Sequence, residues 1–379
     1  MRRLCTSSKP FESLFEDEGQ LAVDRALAEL RAGRPIVIET AEGPAVLAAL
    51  DAVAPSVLDA FTRPGDGRRF LALSPERAKV MGLSARDAIA VPIEGLNNEA
   101  VYRLATGVSA PANLDWLPAD AAAATGIELC KHALLLPAAL VAHGSSHHGL
   151  PASIYRVPLE RLRSLLARGR FELEIVSRAQ VPLTEGGDAS FVVFRGGPVL
   201  RDQIAIVIGN PDRSQPVLVR VHSACLTGDL FGSLRCDCGD QLRNALADLA
   251  GEEGGILLYL DQEGRGTGIR NKMRAYALQD GGLDTIDADA ALGYAPDERR
   301  YEIAASMLAK LGYRRVRLLT NNPDKVAGLQ RSGIEVVGRR PLLATVTEEN
   351  RSYLSTKVQR AGHLLNGYLK SPPTNGARD

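Results

Sequence analysis

Three of the chain's five cysteines sit in one stretch, "CLTGDLFGSLRCDC", at Cys225, Cys236 and Cys238. Such a cluster can be buried small hydrophobes, a redox pair or metal ligands. If the C-x-C pair lies on an extended strand, both of its side chains project to one side. Gly228 and Gly232 would help the intervening excursion turn back and deliver the third thiol. Three thiolates with no obvious fourth ligand would leave a tetrahedral zinc one open position, the arrangement of a catalytic site. A water there loses its proton near neutral pH. The usual C-x-x-C pairs are missing, so spacing alone leaves three buried thiols as a competing reading.

Three other stretches carry chemistry. "LYLDQEGRGTGIRNKMRAYALQD" runs from a buried strand through Gly264, Gly266 and Gly268 into a helix. Glycines there let backbone N–H groups face an anion, and Arg265 adds a charged fork. The spacing fits neither a Walker loop nor a dinucleotide fingerprint, and a plain glycine-rich turn explains it equally well. In "LLTNNPDK", Thr320, Asn321 and Asn322 are placed to cap a helix and Lys325 to meet a phosphate or base; an ordinary cap is the simpler reading. "GYAPDERRY" is expected to put Asp297 and Arg299 in the first turn of a helix. A carboxylate is ordinary there, but a cation is unfavourable unless an anion meets it.

These stretches need elements to hold them. "LAVDRALAELRAGRPIVI" reads as a helix, a C-capping Gly33 and a short strand. "PERAKVM" and "AAAATGIELCKHALLL" read as helices. "HGSSHHGLPAS" reads as a linker, with His147 and His148 polar rather than ligating, and "LERLRSLLARG" as a connector helix. Beyond it strands ("FVVFR", "IAIVIG", "VLVRVHS", "GGILLYLD", "RRVRLLT", "IEVVGRRPL") alternate with capped helices. The expected organisation is mixed α/β in two domains: an arm over 1–19, a first domain over 20–143, linker and connector over 144–172, a second domain over 173–363, and a disordered tail over 364–379.

Length and composition agree. The chain has 379 residues, 45% hydrophobic and 24% charged, and 45 basic residues balance 45 acidic ones. Zero net charge argues against wholesale binding of nucleic acid or a membrane surface. The longest apolar run, "ALLLPAALVA", is too short to span a bilayer. A cytoplasmic protein with a small-molecule ligand is expected, and in that compartment clustered cysteines point to metal or catalysis before disulfides.

Taken together and in order, "VRVHSACLTGDLFGSLRCDCGDQL", "LDQEGRGTGIRNKMRAYALQD", "DERRY", "LLTNNPDKVAGL" and the closing "RSYLSTKVQRAGH" closely resemble GTP cyclohydrolase II. The resemblance covers about Ser177 to His363. It implies an α/β homodimer that opens the imidazole ring of GTP and releases formate and diphosphate, the first step of riboflavin synthesis. It implies zinc on Cys225, Cys236 and Cys238, and Mg²⁺ with the triphosphate. Tyr276 matches the active-site tyrosine near the ring and Asp297 the proton acceptor. Arg299 matches the nucleophile toward the α-phosphorus, or its electrostatic partner. The implied GTP contacts are Arg220, Val221, His222, Ser223, Ala224, Gln241, Glu263, Gly264, Arg265, Thr285, Thr320 and Lys325. Glu263 suits a guanine edge, and Arg220, Arg265, Arg299 and Lys325 suit a triphosphate.

The chain departs from the family at Ala224, often Glu; at Asp261, often Arg; at "TGIR"; and at "DAD" (Asp287 to Asp289), where Glu-Ala-Asn is usual. The first half is similar to 3,4-dihydroxy-2-butanone 4-phosphate synthase in "AVDRALAELRAGRPIVI", "LALSPERAKVMGL", "LATGVSA" and "GIELCKHALLLPAALVAH". That family carries an acidic metal-binding loop after its first strand, where this chain reads "ETAEGPAV", and the "GHTEA"-like stretch is missing. A degenerate domain is therefore expected. The alternatives are a nucleotide-binding regulatory or scaffold protein without turnover, a bifunctional riboflavin enzyme, and a paralogue acting on a related purine nucleotide.

Overall fold

The computed structural model describes residues 18–65, 67–109, 111, 113–144, 150–168, 173–196, 202–343, 346–348 and 350–362. Nearly all of the expected N-terminal arm, the His147–His148 pair and the tail from 364 lie outside those residues. Two compact units divide the chain, Met1–Gly169 and Arg170–Asp379. No helix among the described residues is long and apolar enough to cross a membrane.

The first unit runs α1 (Glu18–Arg31), β1 (Ile36–Thr40), β2 (Gly43–Ala49), α2 (Pro55–Thr62), β3 (Arg68–Leu73), α3 (Pro75–Val80), β4 (Ile89–Pro92), α4 (Asn98–Thr106), β5 (Leu117–Pro118), α5 (Ala121–His132), β6 (Ala138–His143), β7 (Tyr155–Pro158) and α6 (Leu159–Arg168). Its seven strands lie in the order β5-β4-β3-β6-β2-β1-β7. Among the described residues of this unit, only β1 and β7 pair in parallel. Leu27 and Leu30 of α1, Ile127 of α5 and Leu162 of α6 share one buried core with Ile36, Ile38 and Leu47 of the sheet. Gly33 takes φ +71°, and a Cβ there would stand 2.3 Å from the Ala52 carbonyl oxygen, so the turn after α1 requires glycine. α5 is capped by the Asp120 side chain, which accepts from the Ala123 amide at 2.8 Å. It stops at His132, before the apolar "ALLL" expected to continue it, and Leu134 takes φ +57°. The stretch expected as linker and connector contributes β7 and α6 to this unit.

The second unit runs β8 (Leu173–Leu183), β9 (Gly187–Gly196), β10 (Gln203–Gly209), β11 (Val217–Ser223), α7 (Cys238–Ala250), β12 (Gly254–Leu260), α8 (Ile269–Asp280), α9 (Thr285–Ala291), α10 (Tyr301–Leu311), β13 (Arg315–Leu319), α11 (Pro323–Arg331), β14 (Glu335–Arg340) and α12 (Arg351–Ala361). The sheet order is β14-β13-β11-β12-β10-β9-β8. β14, β13, β11 and β12 are mutually parallel, and the other pairs are antiparallel.

Both faces of the parallel half are covered, which explains why "VLVRV" and "ILLYL" read as near-continuous apolar runs. On one face Val219, Val221 and Leu258 pack with Ile303 and Leu308 of α10. On the other, Leu218, Leu257 and Leu319 pack with Leu246 and Leu249 of α7. β11 hands the chain to β12 on one side, and β12 hands it on to β13 on the other side of β11. That switch opens a crevice beyond the carboxyl ends of the three strands, where open α/β sheets bind ligands.

Candidate active site

Cys225 follows the end of β11. The chain then makes a π-helical turn (Leu226–Leu230) and returns through Cys236 to Cys238, the first residue of α7. The C-x-C pair is therefore not on a strand: it spans a turn and a helix start. The three sulfurs still meet, all within 4.8 Å of one another, with Cys225 and Cys236 at 3.7 Å. Three sulfurs at zinc's bond length and tetrahedral angles would lie about 3.8 Å apart, so the trio fits such an ion. Gly228 makes the approach possible. A Cβ there would stand 2.8 Å from Cys236 Sγ and 3.1 Å from Cys225 Sγ. Hydrogen bonds from Cys236 and Cys238, with Lys272 nearby, hold the Cys225 thiol well below its usual range. The bond to Cys225 raises Cys236, and the bonds to Cys225 and Cys236 raise Cys238.

Two clamps fix Cys225. Asp229 accepts from the Cys225 amide at 3.0 Å, from the Tyr259 hydroxyl at 2.9 Å, and from His222 Nε2, 3.1 Å from both its oxygens. The His222 and Tyr259 rings stack at 5.6 Å. On the other side, Glu263 accepts from the Leu226 amide at 2.6 Å and from Lys272 Nζ at 2.7 Å. Both Glu263 oxygens thus take part in bonds within the protein while the residue lines the cavity.

A cavity of about 560 Å³ opens beside the thiols at the crevice. Arg220, His222, Ser223, Ala224, Gln241, Glu263, Gly264, Arg265, Tyr276, Thr285, Asp297, Arg299, Thr320 and Lys325 line it with the three cysteines. Val221 instead sits in the core, and its carbonyl accepts from Lys325 Nζ at 2.9 Å. Arg220 is buried, donating to the Leu319 carbonyl at 3.0 Å and to Gln241 at 2.6 Å. Burial pushes it down to about 10, still a cation at neutral pH. Thr320 Oγ1 accepts from the Asn322 amide at 3.0 Å, and Asn322 caps α11 by accepting from the Asp324 amide at 2.8 Å.

The glycine loop wraps one wall. Gly264, Gly266 and Gly268 take φ of +61°, +95° and +86°, and Arg265 itself takes +60°. A Cβ on Gly266 would stand 2.7 Å from the Glu298 carbonyl oxygen, so the loop lies tight on the segment carrying Asp297 and Arg299. That segment is not helical, contrary to expectation: α10 begins only at Tyr301. Asp297 instead pairs with Arg299, whose Nε and Nη2 donate at 2.7 Å each, and accepts from the Tyr301 hydroxyl at 3.0 Å. Burial acts to raise the Asp297 carboxyl, but these bonds keep it below its ordinary value, ionised at neutral pH. The anion that meets Arg299 is therefore a neighbouring carboxylate. Tyr276 is flanked by the Arg235 guanidinium, 4.4 Å from its ring centre.

Several residues on this surface escaped sequence reasoning. Lys272 precedes Tyr276 by one helical turn, and that i,i+4 spacing was the available signal. Asp229 gave none, because its side-chain partners, His222 and Tyr259, come from β11 and β12. Arg360 also lines the cavity, and so does Asp289 of the acidic "DAD".

A family model described as GTP cyclohydrolase II matches residues 174–341. GTP cyclohydrolase-2 of Xylella fastidiosa (strain 9a5c) is 46% identical over 355 residues, 93% of this chain and 89% of that one. GTP cyclohydrolase-2 of Azospirillum brasilense is 41% identical over 382 residues, 95% of this chain and 98% of that one. Riboflavin biosynthesis protein RibBA of Bacillus cereus is 48% identical over 217 residues, 57% of this chain and 55% of that one.

Proposed function

The chain belongs to the GTP cyclohydrolase II family, and on that premise we propose that it hydrolyses GTP in riboflavin biosynthesis by opening the imidazole ring. The proposed products are 2,5-diamino-6-(ribosylamino)-pyrimidin-4-one 5′-phosphate, formate and diphosphate. Three waters are consumed, two in removing C8 as formate and one between the α- and β-phosphorus atoms. The observation that carries the reading is the cysteine trio, its sulfurs within 4.8 Å of one another on the wall of a cavity lined by Arg220, Arg265, Arg299 and Lys325.

Cys225, Cys236 and Cys238 would hold zinc, which when bound supplies a polarised water for attack on C8. The four cations would hold the triphosphate, with Mg²⁺ arriving on it. Tyr276 would sit against the ring. Asp297, ionised at neutral pH, would accept a proton. For Arg299 the pairing supports the electrostatic role over the nucleophilic one. Its guanidinium stays protonated and directs two N–H groups to Asp297, so it carries charge rather than a free lone pair. A homodimer located in the cytoplasm completes the reading.

For the first unit we propose a degenerate synthase-like domain without its own turnover. Where the synthase family carries an acidic loop, β1 and β2 are joined by a tight hairpin. Thr40 pairs with Gly43, and Ala41 and Glu42 alone form the turn. Such a turn supplies one carboxylate, Glu42, where the family's loop supplies several, so a metal and sugar phosphate there would lack most of the protein ligands that family uses.

Incubation of zinc-loaded protein with GTP and Mg²⁺, following formate and product absorbance, tests the reading. Turnover is expected, and Cys236→Ser should lose both the zinc and ring opening. Stoichiometric GTP binding without formate would replace the enzyme by a nucleotide-binding regulator.

A further inference from the structure

Lys272 of α8 uses its ammonium on three partners at once. Its Nζ donates to Glu263 Oε1 at 2.7 Å and to Thr227 Oγ1 at 2.9 Å, and lies 3.1 Å from Cys225 Sγ. An ammonium has three donors, and this geometry employs all of them. The side chain is about 10% exposed. Glu263 in turn holds the Leu226 amide. The pair therefore grips three consecutive residues: the sulfur of 225, the amide of 226 and the hydroxyl of 227. Neither partner is held by its own secondary structure alone. Lys272 is on α8 and Glu263 on the short turn after β12, so the grip joins two elements to the thiol turn.

We propose that Lys272 is a positioning residue of the metal centre, whose ammonium holds Cys225 at the ligand position and draws electron density from its sulfur. The inference rests on the reading that the three cysteines hold zinc. Three thiolates around a divalent ion leave the centre with one surplus negative charge. A cation bonded to one sulfur would offset that charge locally, with Glu263 as its own counter-charge, and weaken that thiolate's donation to a bound ion. In the same step Glu263 becomes the support of Lys272 and Leu226.

The test uses the full chain loaded with Zn²⁺ or Co²⁺. For Lys272→Met the Zn²⁺ dissociation constant, measured against a chromophoric chelator, is expected to rise about 10- to 100-fold. The sulfur-to-cobalt charge-transfer band should move to lower energy, because a thiolate relieved of its cation is easier to oxidise. Lys272→Arg, which keeps the charge, should move the band less. Should Lys272→Met not fold, Lys272→Gln carries the same reading, since it keeps a neutral donor and most of the volume but loses the charge. A band that shifts equally in the Met and Arg variants, or an unchanged band and chelator midpoint in the neutral variants, overturns the inference while leaving the zinc reading intact. Wild-type protein that binds no Zn²⁺ would overturn both.

Discussion

Asp297 and Asp289 line the same cavity, yet their surroundings drive them in opposite directions. Asp297 has Arg299 and Tyr301 bonded to it and stays ionised. Asp289 is more deeply buried, Arg265 stands 3.6 Å away, and Glu298, Asp284 and Asp297 add like charge. Burial pushes it up to about 7. The sign follows from proton linkage. Between about pH 4 and 7 the folded protein keeps a proton on Asp289 that the unfolded chain has released, so this group's contribution to stability falls as pH rises and is lost through pH 7. Asp289→Asn should remove that dependence. At pH 8 the variant is expected to be more stable than wild type by on the order of 3 kcal/mol, and near pH 4 the two should converge. Urea midpoints across that range decide it, and parallel curves would refute the assignment. The acidic "DAD" is plain in the sequence but its burial is not, because the elements that enclose Asp289 come from separate parts of the chain.

At the scale of elements, the cysteine turn was legible in type and misread in form. The C-x-C pair suggested a strand, but Cys238 opens α7 and the excursion from Cys225 is a π-helical turn. The helix expected from Pro296 begins at Tyr301 because Asp297, which local rules assign to dipole compensation, is engaged by Arg299. Capping rules fared better where no such partner competes, as at Asn322 before α11. β8 carried no signal at all, since most of its residues are exposed and no apolar alternation marks it. The strands of the parallel half were plain because both of their faces are buried. Within the cysteine turn, Gly228 is needed for space rather than for an unusual φ, so its role follows from what surrounds it. Gly228→Ala places a methyl 2.8 Å from Cys236 Sγ and should lower Zn²⁺ affinity at least about tenfold. Far-ultraviolet dichroism should be unchanged, because the β11–β12 core does not pass through this turn. Wild-type zinc content in Gly228→Ala would show that the trio tolerates wider spacing.

For the whole molecule, the linker composition correctly suggested two units, but the stretch given to the linker belongs in part to the first. β7 pairs in parallel with β1, and Tyr155 donates to the Ala22 carbonyl at 3.1 Å. "YRVP" was too short to reveal a period. Each unit has its own seven-stranded sheet and its own core, so loss of activity in one need not unfold it. On the proposed reading of a degenerate first unit, that independence would let a site be lost while the packing stayed intact. The core residues of α1, α5 and α6 are apolar and close-packed, whereas the β1–β2 hairpin is reduced to the shortest turn that lets Thr40 face Gly43. A fold is held by its buried faces, and chemistry by the loops at its edges. Full-length protein given ribulose 5-phosphate and Mg²⁺ should therefore release no formate above background, while the same preparation releases formate from GTP. Formate from ribulose 5-phosphate, with the butanone phosphate as co-product, would mean that the first unit keeps a site built from residues other than the missing acidic loop.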